Sequence, residues 1–212
     1  MSATAGPGAG PAAQDHDHPL FARAWSSVLG RNAMGWRERD ELVAGLSGRV
    51  LEVGAGDGLN FEHYADAVTE VVALEPEPHL RAKAAERGIA RVAVVDGIAE
   101  ELAFADASFD AVVVCLVLCS VRSQATALAE IRRVLKPGGE LRFYEHVAAR
   151  GGAGRAVQRG LDRSGLWPRV AAGCHLTRDT ERAIRDAGLA IDQVRHFSVG
   201  LLPHVAGRAR KV

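Results

Sequence analysis

A glycine-rich run near residue 54 is the clearest candidate for a ligand site. Residues 50–53 form a short, mostly apolar stretch typical of a buried strand, and Gly54, Gly56 and Gly58 follow it at alternate positions. Glycine adopts positive φ and lets a ligand lie directly against the backbone. A strand that ends in such a turn builds a nucleotide-sized shelf at the carboxyl edge of a parallel sheet. The run therefore predicts a site for a nucleotide-like cofactor.

Acidic residues around this loop indicate which cofactor fits. Glu52 and Asp57 flank the glycines, and no basic residue lies among them. A pyrophosphate favours an unopposed helix N-terminus, whereas S-adenosylmethionine has no phosphate and carries two cationic groups. The third glycine also comes one position earlier than in the dinucleotide pattern G-x-G-x-x-G. Glu75 ends the next predicted strand, where an acid accepts hydrogen bonds from ribose hydroxyls.

Length and composition favour one α/β domain located in the cytoplasm. The chain has 212 residues, 48% of them hydrophobic, and a formal net charge of zero, so nothing favours nucleic acid as a partner. We expect no membrane span, because no apolar run approaches the roughly 20 residues that a span needs. No secretion signal is evident, and three cysteines give no disulfide framework. We expect a monomer or homodimer.

The pattern along the chain divides it into a tail, an N-terminal helical segment and a larger domain. Residues 1–18 read as a disordered tail, in which His16 and His18 are more simply solvated than metal-bound. Residues 19–48 predict helices that either form a lid over the cofactor, through Phe21, Trp25 and Trp36, or simply pack. Residues 49–212 form the main domain, with a substrate-side insertion at about 148–176.

Strands and helices alternate through the main domain, which predicts right-handed βαβ units and a doubly wound parallel sheet. A helix is expected at 177–187 with Thr177 as its cap, and a final edge strand at 204–211. The strands before it are expected at 49–53, 68–74, 92–95, 109–118, 140–146 and 189–199.

Four motifs in order resemble the class I S-adenosylmethionine-dependent methyltransferases, in the methyltransferase type 11 or UbiE-like group. They are residues 50–58, Glu75, residues 99–110 and residues 133–139. The resemblance implies a Rossmann-like seven-stranded sheet, mostly parallel with the last strand antiparallel, and helices on both faces. The family often has Asp before Ala99; here Ile98 excludes a carboxylate contact to adenine at that position. The resemblance and the loop together predict these cofactor-binding residues: Phe21, Trp25, Glu52, Gly54, Ala55, Gly56, Gly58, Asn60, Glu75, Pro76, Gly97, Ile98, Ala99, Glu100, Cys115 and Leu116.

Residues 117–121, 143–147 and 173–178 are similar to strings in a branch of small-thiol S-methyltransferases. This second resemblance favours a small thiol acceptor. A quinone, phenol or lipid amine remains the alternative acceptor. From different classes, a NAD-dependent oxidoreductase and a non-catalytic cofactor-binding protein also remain open.

Candidate catalytic residues lie at the end of the fifth strand and in the later insertion. Glu145 and His146 end that strand, and His146 has the pKa range of a proton acceptor for a thiol or amine; alternatively the pair anchors the insertion. His175 is a second candidate, with a structural role as its alternative. Cys174 is interpreted as a packing residue rather than a nucleophile, and Cys115 and Cys119 as core. We expect no metal site, because the three cysteines do not form a ligand set.

Overall fold

The computed structural model describes residues 19–26 and 34–212, without the side chains of Leu20, Phe21 and Ala24. The predicted tail at 1–18 lies outside the described residues. A single seven-stranded sheet organises the rest, in the order β3-β2-β1-β4-β5-β7-β6. Its strands are β1 (Gly48–Val53), β2 (Val68–Leu74), β3 (Val92–Val95), β4 (Phe109–Cys115), β5 (Leu135–His146), β6 (Leu189–Val199) and β7 (Leu202–Lys211).

Strands β1 to β5 run parallel, and β7 pairs antiparallel with both of its neighbours. The predicted Rossmann-like sheet with an antiparallel last strand is therefore confirmed. The described helices are α1 (Pro19–Ala24), α2 (Trp36–Val43), α3 (Pro78–Glu86), α4 (Gln124–Val134), α5 (Gly152–Arg163), α6 (Leu166–Val170) and α7 (Thr180–Asp186), with a 3₁₀ turn at Phe61–His63. Among the described residues, no helix is long and apolar enough to cross a membrane.

The core lies on both faces of the sheet, which explains the continuous apolar run of β4. Val112 and Val114 pack into one hydrophobic cluster with helix α4, whereas Ala111 and Val113 pack into the other with helix α2. All four are at most 2% exposed. A strand covered on both faces needs apolar residues at successive positions rather than at alternate ones.

The prediction of a final edge strand is wrong. β7 lies between β5 and β6, and β6 forms the edge. Val205 and Ala209 are fully buried in the core, whereas most of β6 is exposed. Gly207 permits this close packing, because a Cβ there would lie 2.2 Å from the carbonyl oxygen of Gln193 and 2.7 Å from Cζ of Phe143.

Other predicted boundaries also differ: β5, expected at 140–146, begins at Leu135, because Leu135 already pairs with Phe109 of β4. Helix α7 begins at Thr180 and is capped by Asp179, whose carboxylate accepts from the Arg182 N–H. Thr177 is therefore not the cap; its N–H and Oγ1 instead donate to Asp162 of α5. Strand β4 ends three residues earlier than predicted, because Leu116 takes a positive φ of 58°.

Candidate active site

A cavity of about 540 Å³ opens at the carboxyl ends of β1, β2, β4 and β5, where parallel sheets place their ligands. We call one part the glycine end, and it is lined by Trp25, Gly54, Gly56, Glu75, Pro76, Glu77, Gly97, Ile98, Ala99 and Glu100. We call the other part the cysteine end, and it is lined by Cys119, Ser120, Val121, His146, Trp167, Val170, Ala171, Ala172, Cys174, Val199, Leu202 and His204. Cys115, Leu116 and Val117 line the cavity between them.

The loop after β1 is held against the end of β2. The N–H groups of Gly54 and Ala55 donate to the carbonyl of Leu74 at 2.7 and 3.1 Å. Gly54 has a φ of 67°, and a Cβ there would lie 2.4 Å from Cγ2 of Val117. The loop therefore needs glycine at this position, and its backbone faces the cavity without a side chain in the way.

Glu75 fixes the other side of this loop. One of its carboxylate oxygens accepts from the Gly56 N–H at 2.7 Å, and the other accepts from the Glu77 N–H at 2.9 Å. The residue is 5% exposed, and this burial raises its pKa to about 7. A carboxylate has lone pairs beyond these two bonds, so Glu75 can also accept from ribose hydroxyls.

The charge of the lining fits S-adenosylmethionine better than a dinucleotide. No lysine or arginine is among the described residues that line the cavity, so nothing there would pair with a pyrophosphate. The glycine backbone, the Glu75 carboxylate and the apolar wall at Ile98 fit an amino acid chain, a ribose and an adenine respectively. Asp57, expected to oppose a pyrophosphate, does not line the cavity; its carboxylate lies 4.0 Å from the Arg87 guanidinium.

A buried polar network lies behind the loop. Glu52 is 1% exposed and accepts from Asn60 Nδ2 and from the Tyr64 hydroxyl, both at 2.8 Å, while Asn60 Oδ1 accepts from Arg39 at 2.6 Å. Burial raises the pKa of Glu52 to about 7. Glu52, Ala55, Gly58 and Asn60 are not among the lining residues, and their predicted contacts with the cofactor stay predictions.

The N-terminal aromatic residues fall into three different positions. Trp25 lies over the loop, with its Nε1 3.4 Å from where a Gly56 Cβ would be. The Phe21 side chain lies outside the described residues. Trp36 is exposed and is not among the lining residues; its ring contacts that of His63 in a tilted arrangement, with centroids 4.2 Å apart.

Glu145 is fully buried behind the cysteine end rather than in its lining. Its carboxylate accepts the N–H groups of Val117, Leu118 and Cys119 at 2.9, 3.1 and 3.3 Å, which holds the turn that carries Cys119. Burial raises the pKa of Glu145 to about 8. His175 is likewise absent from the lining; its backbone N–H donates to the Cys119 carbonyl at 2.8 Å. Direct catalytic roles for both residues stay predictions.

The cysteine end places an imidazole beside two thiols. His146 is 3% exposed, its Nδ1 lies 4.0 Å from Sγ of Cys174, and its Nε2 has no hydrogen-bond partner among the described residues. The Cys119 and Cys174 sulfurs lie within 4.8 Å of each other, and their interaction raises the pKa of Cys119 and lowers that of Cys174. Burial lowers the pKa of His204, whose Nδ1 donates to the Leu202 carbonyl. This end therefore brings a buried imidazole, one of whose ring nitrogens has no hydrogen-bond partner among the described residues, close to two thiols.

Several lining residues were not anticipated from the sequence. The sequence pattern indicates that Cys119 and Cys174 are packing residues, because their spacing along the chain is not that of a known set of metal ligands. His204 had no local signal at all: it reaches the cavity because β7 pairs with β5 and places it opposite His146. Trp167 and Val170 fall within the insertion predicted at about 148–176. That insertion is recognised only by its irregular sequence pattern, and no more specific signal points to either residue.

Comparison with known proteins agrees with this geometry. Residues 51–143 match the family described as Methyltransferase domain. The chain is 37% identical over 207 residues to Thiol S-methyltransferase TMT1B of Mus musculus, across 91% of this chain and 83% of that protein. It is 36% identical over 182 residues to Thiol S-methyltransferase TMT1A of Homo sapiens, across 79% and 73%.

A solved structure shares the fold. The Haemonchus contortus Phospholethanolamine N-methyltransferase 2, in complex with phosphomonomethylethanolamine and S-adenosylhomocysteine, superposes with a TM-score of 0.71 at 18% identity, over 90% of this chain and 57% of that chain. The likeness in sequence extends well beyond the cofactor motifs and covers most of both proteins. The chain is therefore a class I S-adenosylmethionine-dependent methyltransferase that acts on a small-molecule acceptor, and it belongs to the group that includes the mammalian thiol S-methyltransferases TMT1A and TMT1B.

Proposed function

We propose that the methyl acceptor is a small, largely apolar thiol. The observation that carries this proposal is the chemistry of the cysteine end. None of the described residues that line it is acidic, and its walls include Val121, Trp167, Val170 and Leu202. An ammonium acceptor would meet no carboxylate among these residues and would lose its hydration. A neutral thiol enters such a pocket without that cost, and the related TMT1A and TMT1B are named thiol S-methyltransferases.

The glycine end would hold the cofactor. The backbone at Gly54 and Gly56 is proposed to receive its amino acid portion, Glu75 its ribose hydroxyls and Ile98 its adenine. When bound, S-adenosylmethionine supplies a methyl group on a sulfonium sulfur that leaves as a neutral thioether. The protein's part is to align the acceptor with that methyl group and to exclude water.

The acceptor thiol must lose its proton before or as it attacks. We propose that His146 Nε2 receives this proton, because this buried nitrogen at the end of β5 has no hydrogen-bond partner among the described residues. The acceptor sulfur then gains a bond to the methyl carbon while the methyl–sulfonium bond breaks, and that bond's electron pair stays on the leaving sulfur. Glu145 is proposed to act indirectly, by holding the turn beside the pocket.

The remaining expectations complete this proposal. Residues 148–176 are proposed to be the substrate side of the domain, since Trp167, Val170 and Cys174 line the cavity. Trp25 is proposed to be part of a cofactor lid. Free thiols at Cys115, Cys119 and Cys174 support a cytoplasmic location. We propose a monomer or homodimer that has no nucleic-acid partner.

An acceptor panel tests the proposal. Purified full-length protein is incubated with S-adenosylmethionine and matched alkyl thiols, amines, phenols and quinols of equal chain length, and S-adenosylhomocysteine release is followed. We expect turnover on thiols, with kcat/KM rising as the alkyl chain lengthens. Turnover on the amine or quinol series, with none on any thiol, would remove the proposal and leave the general methyltransferase assignment intact.

A further inference from the structure

Three soft donor groups converge at the cysteine end, and the proposed reaction uses only one of them. Sγ of Cys119, Sγ of Cys174 and a ring nitrogen of His146 all lie within 4.8 Å of one another. Cys119 and His146 are buried, and Cys174 is 9% exposed. These side chains come from three separate segments: the turn after β4, the end of β5 and the turn after α6.

The donor types and their spacing are those of a transition-metal site. Two thiolates and one imidazole suit Zn²⁺, with bond lengths of about 2.3 Å to sulfur and about 2.0 Å to nitrogen. Tetrahedral angles then require donor-to-donor separations of roughly 3.5–3.8 Å. The Cys174 Sγ to His146 Nδ1 distance is 4.0 Å, so small rotations of the side chains would close the set around an ion.

Hydrogen bonds to the backbone hold in place the two turns that carry the cysteines. The Glu145 carboxylate fixes the backbone of the Cys119 turn through three N–H groups. The His175 N–H donates to the Cys119 carbonyl and so ties the two cysteine-bearing turns together. Asp162 of α5 accepts the N–H groups of Leu176 and Thr177 and fixes the second turn. Outer groups of this kind orient metal ligands and affect affinity.

We propose that Cys119, His146 and Cys174 bind one Zn²⁺ ion whose fourth position faces the cavity and accepts the sulfur of the methyl acceptor. Three protein ligands with one open position is the arrangement of catalytic rather than structural zinc. The acceptor S–H bond breaks on coordination, the sulfur binds the metal as thiolate, and the proton passes to solvent. When zinc is bound, Nδ1 of His146 is a metal ligand. The acceptor thiol then loses its proton because it coordinates zinc, and not because His146 accepts the proton.

This inference rests on the proposed function only for the fourth ligand, so metal binding is measured apart from activity. Full-length protein without an affinity tag is purified under reducing conditions with added zinc, and its metal content is determined by mass spectrometry. We expect about one zinc per chain, retained through gel filtration. Cys119→Ser, Cys174→Ser and His146→Ala each weaken zinc binding by on the order of 100-fold or more in competition with a chromophoric chelator.

Matched controls separate the site from other donors. Cys115→Ser removes a thiol outside the cluster, one that contacts Met34 Sδ at 3.4 Å. His16→Ala/His18→Ala removes the histidines of the N-terminal segment. Both should keep one zinc per chain. Equal loss of zinc in a control and in the cluster variants would overturn the assignment.

Cobalt substitution of the wild-type protein gives a readout that does not depend on the folding of any variant. We expect thiolate-to-cobalt charge-transfer absorption and the visible bands of tetrahedral Co²⁺, with a shift in those bands when an alkyl thiol is added. Folded, reduced protein that shows neither zinc nor these bands would overturn the site. Metal binding with no thiol-induced shift would overturn the open fourth position, whereas metal binding with no thiol turnover would count against the proposed function alone.

Discussion

Glu75 is the residue whose charge state should govern cofactor affinity. Its pKa is about 7 in the free protein because of burial. Ribose hydroxyls that donate to it favour the ionised form, so its pKa should fall when ligand binds. Affinity for S-adenosylhomocysteine should therefore be highest above pH 7 and weaken below it, by up to about tenfold per pH unit. Isothermal titration calorimetry from about pH 8 to about pH 6 checks this.

The control is Glu75→Gln, which keeps the shape but cannot ionise. Its affinity should be lower at high pH and nearly flat over the same range. Any residual slope comes from other groups, including the buried Glu52 and the amino group of the ligand. An identical pH profile in wild type and variant would show that Glu75 does not carry the effect.

His146 should affect the acceptor reaction and leave cofactor binding alone. His146→Ala removes the buried imidazole at the cysteine end, so kcat with an alkyl thiol should fall by about 100-fold or more. The affinity for S-adenosylhomocysteine should change by less than about threefold, because the imidazole lies away from the glycine end. The loss should shrink for aryl thiols, which are already ionised at neutral pH. An equal loss for alkyl and aryl thiols would contradict a role in deprotonation.

Helix α5 fixes the turn that carries Cys174, through one side chain. Asp162 accepts the N–H groups of Leu176 and Thr177 at 2.9 and 3.0 Å and the Thr177 hydroxyl at 2.7 Å. Asp162→Ala leaves these donors without their partner, which should lower the free energy of unfolding by about 1–3 kcal/mol. It should also raise KM for the acceptor, because the turn lines its pocket. Urea denaturation and steady-state kinetics measure the two effects.

Asp179→Ala serves as the comparison for this variant. Asp179 caps helix α7 through the Arg182 N–H, and removing a cap costs about 1 kcal/mol. Because Asp179 does not line the cavity, acceptor KM should stay at the wild-type value. A matching rise in KM in both variants would mean that general loosening, and not the Cys174 turn, explains the result.

The sequence predicted elements better than it predicted contacts between them. The apolar runs of β1, β2, β3 and β4 and the glycine loop are local patterns, so the strands and the cofactor end could be inferred directly. Helix α5 has an irregular pattern because Gly152, Gly154 and Gly160 dilute its helical signal, and the short helix α6 contains Pro168. His146 could be named from its place at the end of β5, whereas its neighbours Cys174 and His204 could not, because the folding of distant segments brings them to it.

The whole sheet depends on the close packing of β7 between β5 and β6. A Cβ at residue 207 would lie 2.2 Å from the Gln193 carbonyl oxygen. This oxygen belongs to the backbone of β6, which cannot move aside without a large energetic cost. Gly207→Ala should therefore destabilise the protein by about 1–3 kcal/mol. Gly151→Ala is the matched control, since no atom of the described residues lies within 4 Å of a Cβ there. Urea unfolding midpoints should fall for the first variant only; equal midpoints would contradict the strand order.

Strand order also decides which residues line the cysteine end. Because β7 lies beside β5, the hairpin between β6 and β7 brings Val199, Leu202 and His204 over the cavity. The glycine end of the cavity is built mainly from the early strands, and the cysteine end mainly from the later ones. Acceptor preference should therefore depend on the later half of the chain, while the cofactor requirement depends on the glycine loop and Glu75.

The most direct test of this account follows the methyl group itself. Full-length protein is incubated with S-adenosylmethionine carrying a deuterated methyl group and with one small alkyl thiol, and the products are identified by mass spectrometry. We predict the deuterated S-methyl thioether and S-adenosylhomocysteine in equal amounts, with both greatly reduced in His146→Ala. S-adenosylhomocysteine without labelled thioether, or no conversion by protein that binds S-adenosylhomocysteine, would contradict transfer to a thiol.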